Sequence, residues 1–184
     1  MRVIAGSLKG RRLQTPSWDG LRPTSDKLRE TLFNVVAGQV GEARLLDGFA
    51  GTGAVGIEAL SRGAAHVTFV ESDPRAVRLV ERNLEHCAVT DRYAIIRARF
   101  ADAARRLQPG SFELIFLDPA YAPDVIVSSL EAAAPLVAPG GVLILEHARR
   151  DAAPARAASL AKTRDIMSGD SALTLYMPAI PVGG

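Results

Sequence analysis

At 184 residues, 48% hydrophobic and 23% charged, the chain has the size and composition of one globular domain with a real core, which excludes a fibrous or intrinsically disordered protein. Its one cysteine, Cys87, excludes an intrachain disulfide, and no apolar run approaches the ~20 residues of a membrane helix. The net charge is only +2, but residues 1–30 carry seven Lys/Arg against three acids, which leaves +4 on that segment and −2 on the rest.

Arg2–Ala5 and Arg11–Leu13 read as two short strands around Ser7-Leu8-Lys9-Gly10, a basic hairpin. The arm is either a footprint for a polyanion or an ordinary solvated surface. After a loop with Pro16, Gly20 and Pro23, Thr24 is placed to cap a helix with Asp26 in its first turn. Leu28, Leu32, Val35 and Val36 give that helix one apolar face, and Gly38 and Gly41 end it.

From Arg44 onward short apolar runs alternate with helical patterns. Strands are expected at Arg44–Asp47, His66–Glu71, Tyr93–Arg97, Phe112–Leu117 and Gly141–Glu146. Helices are expected at about 54–62, 74–86, 101–107 and 124–137, the second opened by Asp73-Pro74. Such alternation implies a parallel α/β sheet. The tail breaks the pattern: Ala157–Ile166 and Leu173–Met177 flank the turn Ser168-Gly169-Asp170, which would add an antiparallel edge.

The first strand–helix turn, Asp47-Gly48-Phe49-Ala50-Gly51-Thr52-Gly53-Ala54-Val55-Gly56, contains the spacing of a dinucleotide fingerprint, with Glu71 about 20 residues on. That spacing alone does not separate NAD from S-adenosylmethionine, since each carries an adenosine whose ribose Glu71 could bind. Asp47 separates them. An acid at the strand end is ill suited to a pyrophosphate, whereas adenosylmethionine offers an ammonium and a sulfonium. Gly51 and Gly53 would let the backbone approach the cofactor closely. Asp102, where the third strand hands over to a helix, is either a residue facing the adenine or a simple first-turn acid.

Asp118-Pro119-Ala120-Tyr121 follows the strand Phe112–Leu117, at the sheet edge where α/β proteins bind ligands. The exocyclic amine of a nucleobase is a poor nucleophile, because its lone pair is delocalised into the ring. A carboxylate and a nearby backbone carbonyl can each accept one N–H and turn the lone pair toward a methyl donor. Pro119 would stiffen the turn, and Tyr121 offers a ring on which an extruded base could stack. An Asp-Pro turn that merely ends a strand is the plain alternative.

Over nearly its whole length the chain resembles the bacterial small-subunit ribosomal RNA guanine-N2 methyltransferases, the RsmD family. The resemblance lies in Arg2–Gly6 with Lys9–Leu13, Arg22-Pro23-Thr24 with Arg29–Asn34, Leu46–Gly53, Glu58–Ala64, Val70-Glu71 and the Asp118 segment. It implies a Rossmann-like class I methyltransferase sheet, mostly parallel with an antiparallel edge strand, plus an N-terminal β-hairpin and helix. Residues 1–40 would form the basic extension and 41–184 the methyltransferase domain. It implies methylation of a guanine N2 in 16S rRNA of the assembling small subunit, with S-adenosylmethionine as cofactor. The single cysteine and the lack of a signal-peptide or membrane-length apolar run place the chain in the cytoplasm, and a monomer is expected.

Catalytic positioning is carried onto Asp118, Pro119 and Tyr121, and cofactor contacts onto Asp47, Phe49, Gly51, Gly53, Glu71 and Asp102. RNA contacts fall on Arg2, Lys9, Arg11, Arg12 and Arg22, and no metal is expected. Two departures stand out: Ala120 replaces the family's second proline, which should loosen the loop, and Arg99-Phe100-Ala101 lacks the glycine that often precedes the adenine-facing acid. The rival readings are an amino-methyltransferase acting on DNA adenine N6 or protein glutamine, an NAD-dependent oxidoreductase, and a non-catalytic RNA-binding relative. His66, His86, His147 and Cys87 read as surface or packing residues, and Trp18 either stacks on a base or packs on the body.

Overall fold

The computed structural model describes residues 1–21 and 24–179. Five parallel strands, β1 (Arg44–Asp47), β2 (His66–Glu71), β3 (Tyr93–Arg97), β4 (Phe112–Leu117) and β5 (Val137–Ala148), carry the helices α2 (Ala54–Ser61), α3 (Pro74–His86), α4 (Phe100–Ala104) and α5 (Pro123–Ala133) between them. α1 (Asp26–Val35) precedes them, and β6 (Arg156–Ala157), β7 (Leu160–Ser168) and β8 (Ser171–Pro178) follow. The sheet order is β3-β2-β1-β4-β5-β8-β7-β6, with β8, β7 and β6 antiparallel to their neighbours. The chain reverses direction across the sheet between β1 and β4, which opens a crevice at their carboxyl ends.

The mostly parallel sheet with an antiparallel edge is as expected, and four of the five parallel strands have the expected bounds. β5 is longer than Gly141–Glu146 and shifts register between the pairs Phe112–Val137 and Leu114–Val142. The helix expected at 124–137 gives way to a 3₁₀ turn over Ala134–Leu136, because Pro135 has no N–H to continue the ladder. α4 is shorter than 101–107. Ser25, not Thr24, caps α1: its side chain accepts the Leu28 N–H at 3.1 Å.

Alternation along each strand splits the core into two layers, so that Leu45 and Leu46 fall in different clusters. Val3, Leu13, Leu28 and Phe33 of the N-terminal extension share one layer with Ile57, Phe69 and Val80. Every residue of α2 is buried, as a helix apolar almost all round requires. One side packs on the sheet, where a Cβ on Gly56 would stand 2.2 Å from the Phe69 ring. The N-terminal arm covers another.

The arm is not the pair of strands that its sequence suggests. Only Arg2 and Arg12 form a bridge, supported by Val3 N–H to Arg11 O at 2.9 Å and Leu13 N–H to Met1 O at 3.1 Å. Beyond Val3 the backbone turns to α2. The Ile4 and Ala5 N–H groups donate to the Glu58 carboxylate at 2.7 and 3.0 Å, and Leu8 N–H donates to the Ser61 hydroxyl at 2.9 Å. The ladder ends because its donors are claimed by side chains of another element.

Candidate active site

Gly53 is the N-cap of α2, and its φ of +76° and missing side chain leave the first N–H groups of the helix uncapped from within. Asp47 supplies the acceptor from the end of β1, with its Oδ2 3.2 Å from the Gly56 N–H. Burial pushes the Asp47 carboxyl up to about 7; the Gly56 N–H opposes this and the charge of Glu71 adds to it. Glu71, at the end of β2, accepts the Gly51 N–H at 2.9 Å and those of Ser72 and Asp73 at 2.7 and 2.9 Å. Two carboxylates thus fix the glycine turn from both sides. Gly51 faces the crevice with φ +57°. Gly53 does not: a Cβ there would meet Val80 at 3.2 Å, so packing and backbone conformation account for that glycine.

The crevice holds a cavity of about 440 Å³ lined by Asp47, Glu71, Asp118 and Glu146 together with Phe49 and Tyr121. Register explains why the four acids converge. Asp47 pairs with Phe69 and Phe116, and Phe116 pairs with Ile144. Two residues beyond Phe69, Phe116 and Ile144 stand Glu71, Asp118 and Glu146, on the same face by the period of two. One carboxylate in or just past each of the adjacent strands β2, β1, β4 and β5 therefore lines a single cavity.

Around Asp118, Pro119 is buried while Ala120 and Tyr121 are exposed. The Ala122 N–H donates to the Ala120 carbonyl at 2.7 Å, a three-residue turn that closes the loop without the family's second proline. Tyr121 Oη donates to Glu146 Oε1 at 3.2 Å, and Ser171 Oγ donates to the same oxygen at 3.1 Å. Burial and then the Glu146 charge push the Tyr121 hydroxyl up to about 12, so it stays a donor. Glu146 and Ser171 were not among the expected site residues. Glu146 ends the expected strand 141–146, but only the register of β5 on β4 sets it beside Asp118. Leu21, Thr24 and Ser25 bring the extension to the cavity's rim.

A second cavity of about 120 Å³ shares Phe49 and Glu71 with the first and adds Ala98, Arg99 and Phe100. The Phe49 and Phe100 rings lie 5.3 Å apart. Asp102 lines neither cavity; its carboxylate pairs with Arg105 one turn along α4. The placement departs from an adenine-facing acid because the chain enters α4 at Phe100, which turns the ring inward and Asp102 outward.

Arg2, Lys9, Arg11 and Arg12 are exposed on the arm, and Arg22 lies outside the described residues. Trp18 packs beneath the Arg75 guanidinium, 5.2 Å from its ring centre. His147 is buried between the Ala148 carbonyl and the Thr174 hydroxyl, a packing role. Burial pushes the Cys87 thiol up, away from a reactive thiolate. Among the described residues no helix is long and apolar enough to cross a membrane.

The sheet order, with the antiparallel edge β8-β7 beyond β5 and a glycine turn held by acids at the β1/β4 reversal, is the class I methyltransferase fold, shared with solved methyltransferase-type structures. The solved structure of yhhF from Escherichia coli, provisionally titled a methyltransferase, superposes with a TM-score of 0.82 at 30% identity, over 97% of each chain. Residues 1–177 match the family described as conserved hypothetical protein 95, and the chain belongs to that family, the RsmD family its motifs resemble.

YlbH of Bacillus subtilis, provisionally named an rRNA methyltransferase, is 36% identical over 181 residues, 96% of this chain and 98% of the relative. The ribosomal RNA small subunit methyltransferase D of Haemophilus influenzae is 39% identical over 123 residues, 66% of this chain and 64% of that protein.

Proposed function

We propose that this methyltransferase transfers a methyl group from adenosylmethionine to the exocyclic N2 of a guanine in 16S rRNA of the small ribosomal subunit. The observation that carries the reading is the cavity shared by Asp47, Glu71 and Asp118, in which a cofactor-type acid pair and a base-positioning acid face one space. The names of the Haemophilus and Bacillus relatives support rRNA as the substrate.

The residues fit the cofactor. The acids Asp47 and Glu71 suit a ligand bearing two positive groups and a ribose, and they suit a pyrophosphate poorly. Gly51 would let the backbone approach, and Phe49 with Phe100 would flank the adenine. When bound, adenosylmethionine supplies a methyl on a sulfonium, whose S–C bond breaks as the N–C bond forms. Asp118 accepts one N2–H of the guanine and aims the lone pair at that carbon. The surplus N2 proton, acidic once the nitrogen carries a fourth bond, already faces the Asp118 carboxylate, which passes it to water. Tyr121, 40% exposed, presents a ring on which the extruded base stacks. Arg2, Lys9, Arg11 and Arg12, with Arg22, would hold phosphates of the RNA.

Labelled adenosylmethionine offered to small subunits, naked rRNA and duplex DNA tests the reading. Methylation of one guanine in the subunit or its rRNA is expected. Transfer only to DNA or to protein would overturn it, as would calorimetry showing affinity for NAD and none for adenosylmethionine. Asp118→Ala should lower the transfer rate at least about 100-fold, in the range of lost positioning and electrostatic terms, with adenosylmethionine affinity kept.

A further inference from the structure

We infer that Glu146 is the residue that selects guanine, by accepting the N1–H of the base whose N2 is held by Asp118. The inference rests on the rRNA guanine reading above and deepens it. Asp118 and Glu146 follow the paired residues Leu117 and Leu145 on adjacent parallel strands, so their side chains leave the same face a strand spacing apart, ~4.8 Å. Both line the same cavity.

The Watson–Crick edge of guanine presents two neighbouring donors, N1–H and N2–H₂. Adenine presents one amine beside a bare ring nitrogen, which is an acceptor. Two adjacent carboxylates, which only accept, match the first pattern. Against the second they set an acceptor facing an acceptor.

The surroundings of Glu146 suit that task. It is 5% exposed, so its orientation is fixed by its neighbours, and Oε1 takes the hydroxyl protons of both Tyr121 and Ser171. Those two bonds lock the carboxylate plane and leave the side chain an acceptor toward the base. The bond from Tyr121 also holds the ring on which the base stacks, so one carboxylate sets both the hydrogen-bonding edge and the stacking platform. Ser171 comes from the antiparallel strand β8, which gives the edge added beyond the parallel core a part in the site. A polar contact of this kind discriminates more strongly than shape, because the wrong base leaves a buried charge facing a lone pair.

The test compares small subunits reconstituted with 16S rRNA carrying either guanine or 2-aminopurine at the mapped target. 2-Aminopurine keeps the amine and lacks the N1–H. The wild-type protein should methylate guanine with a kcat/KM about 10- to 100-fold above that for 2-aminopurine, the discrimination of one good polar base contact. Glu146→Gln, whose amide can donate to a bare N1, should lose activity on guanine by a similar factor and narrow or reverse the ratio. Its adenosylmethionine affinity, measured by calorimetry, should stay within about threefold.

Equal wild-type rates on the two bases would overturn the role of Glu146, and that arm needs no variant to fold. An unchanged ratio in a Glu146→Gln protein that binds cofactor would overturn it too. Wild-type protein that methylates no rRNA guanine at all would instead sink the reading beneath it.

Discussion

Glu58 Oε2 accepts the main-chain N–H of Ile4 at 2.7 Å, across 54 residues of sequence. The same carboxylate takes the Ala5 N–H and the Arg62 guanidinium at 2.8 Å, and it lies 3.7 Å from Arg29. Both Glu58 and Arg29 are wholly buried, and Arg29 in turn donates to the Arg2 carbonyl at 2.7 Å. Removing the acid leaves two N–H groups and the Arg62 guanidinium without their acceptor, while Arg29 keeps Asp26 and the Arg2 carbonyl; each buried donor left unsatisfied costs about 1–3 kcal/mol. Glu58→Ala should lower the urea midpoint accordingly, and the Ile4 and Ala5 amides should lose protection from hydrogen exchange. A variant as stable as the parent would mean that the arm is held by its apolar contacts alone.

Asp47 makes stability and cofactor binding respond to pH in opposite senses. Its carboxyl is raised from an ordinary 3.8 to about 7, so between those values the folded protein binds a proton that the unfolded chain has lost. Stability of the cofactor-free protein should therefore fall as pH rises from about 4 to 7 and then level off. Asp47→Asn should remove that part of the slope in unfolding measured across pH. A cationic ligand favours the ionised acid, so adenosylmethionine affinity should increase as pH rises through 7, and calorimetry at a series of pH values would show it.

Asp102 and Glu71 separate a surface ion pair from a site acid. Asp102 lines neither of the two cavities described above and faces Arg105, whereas Glu71 lines both. Asp102→Ala should change adenosylmethionine affinity less than about twofold. Glu71→Ala should weaken it by about 1.5–3 kcal/mol, the worth of hydrogen bonds to a charged group. A larger effect at Asp102 would restore it to the adenine site.

The exposed arm is best tested by salt. If Lys9, Arg11 and Arg12 neutralise rRNA phosphates, replacing all three with alanine should flatten the dependence of log affinity on log salt by about 0.7–0.9 for each phosphate no longer neutralised. Adenosylmethionine binding should be unaffected. An unaltered slope would leave the arm's charge as ordinary solvated surface.

The parts of the fold that periodicity governs were legible in the sequence. β1 to β4 and α3 carry apolar runs with punctuation such as Asp73-Pro74, and their observed bounds match the expected ones. What pattern could not reveal depends on partners distant in sequence. The arm is a hairpin as expected, but its ladder is shorter than Arg2–Ala5 with Arg11–Leu13, because Glu58 and Ser61 take the backbone donors beyond Val3. Gly53 looks like a cofactor glycine until Val80 is seen beside it. Asp47, Glu71 and Asp118 announce themselves through motifs at strand ends. Glu146 belongs to no motif, and only the pairing of β4 with β5 brings it beside Asp118.

The docking of the arm on α2 also has a bearing on biosynthesis. Residues 1–14 are made before the groups that hold them: Glu58 and Ser61 follow by more than 50 residues, and Asn83, which takes the Gln14 N–H at 2.7 Å, follows by 69. Contacts of such span close late, because the intervening chain must first be ordered. The basic segment gains its observed shape only when α2 and α3 have folded beneath it, so the surface proposed to meet RNA and the helix that follows the glycine turn would be completed together.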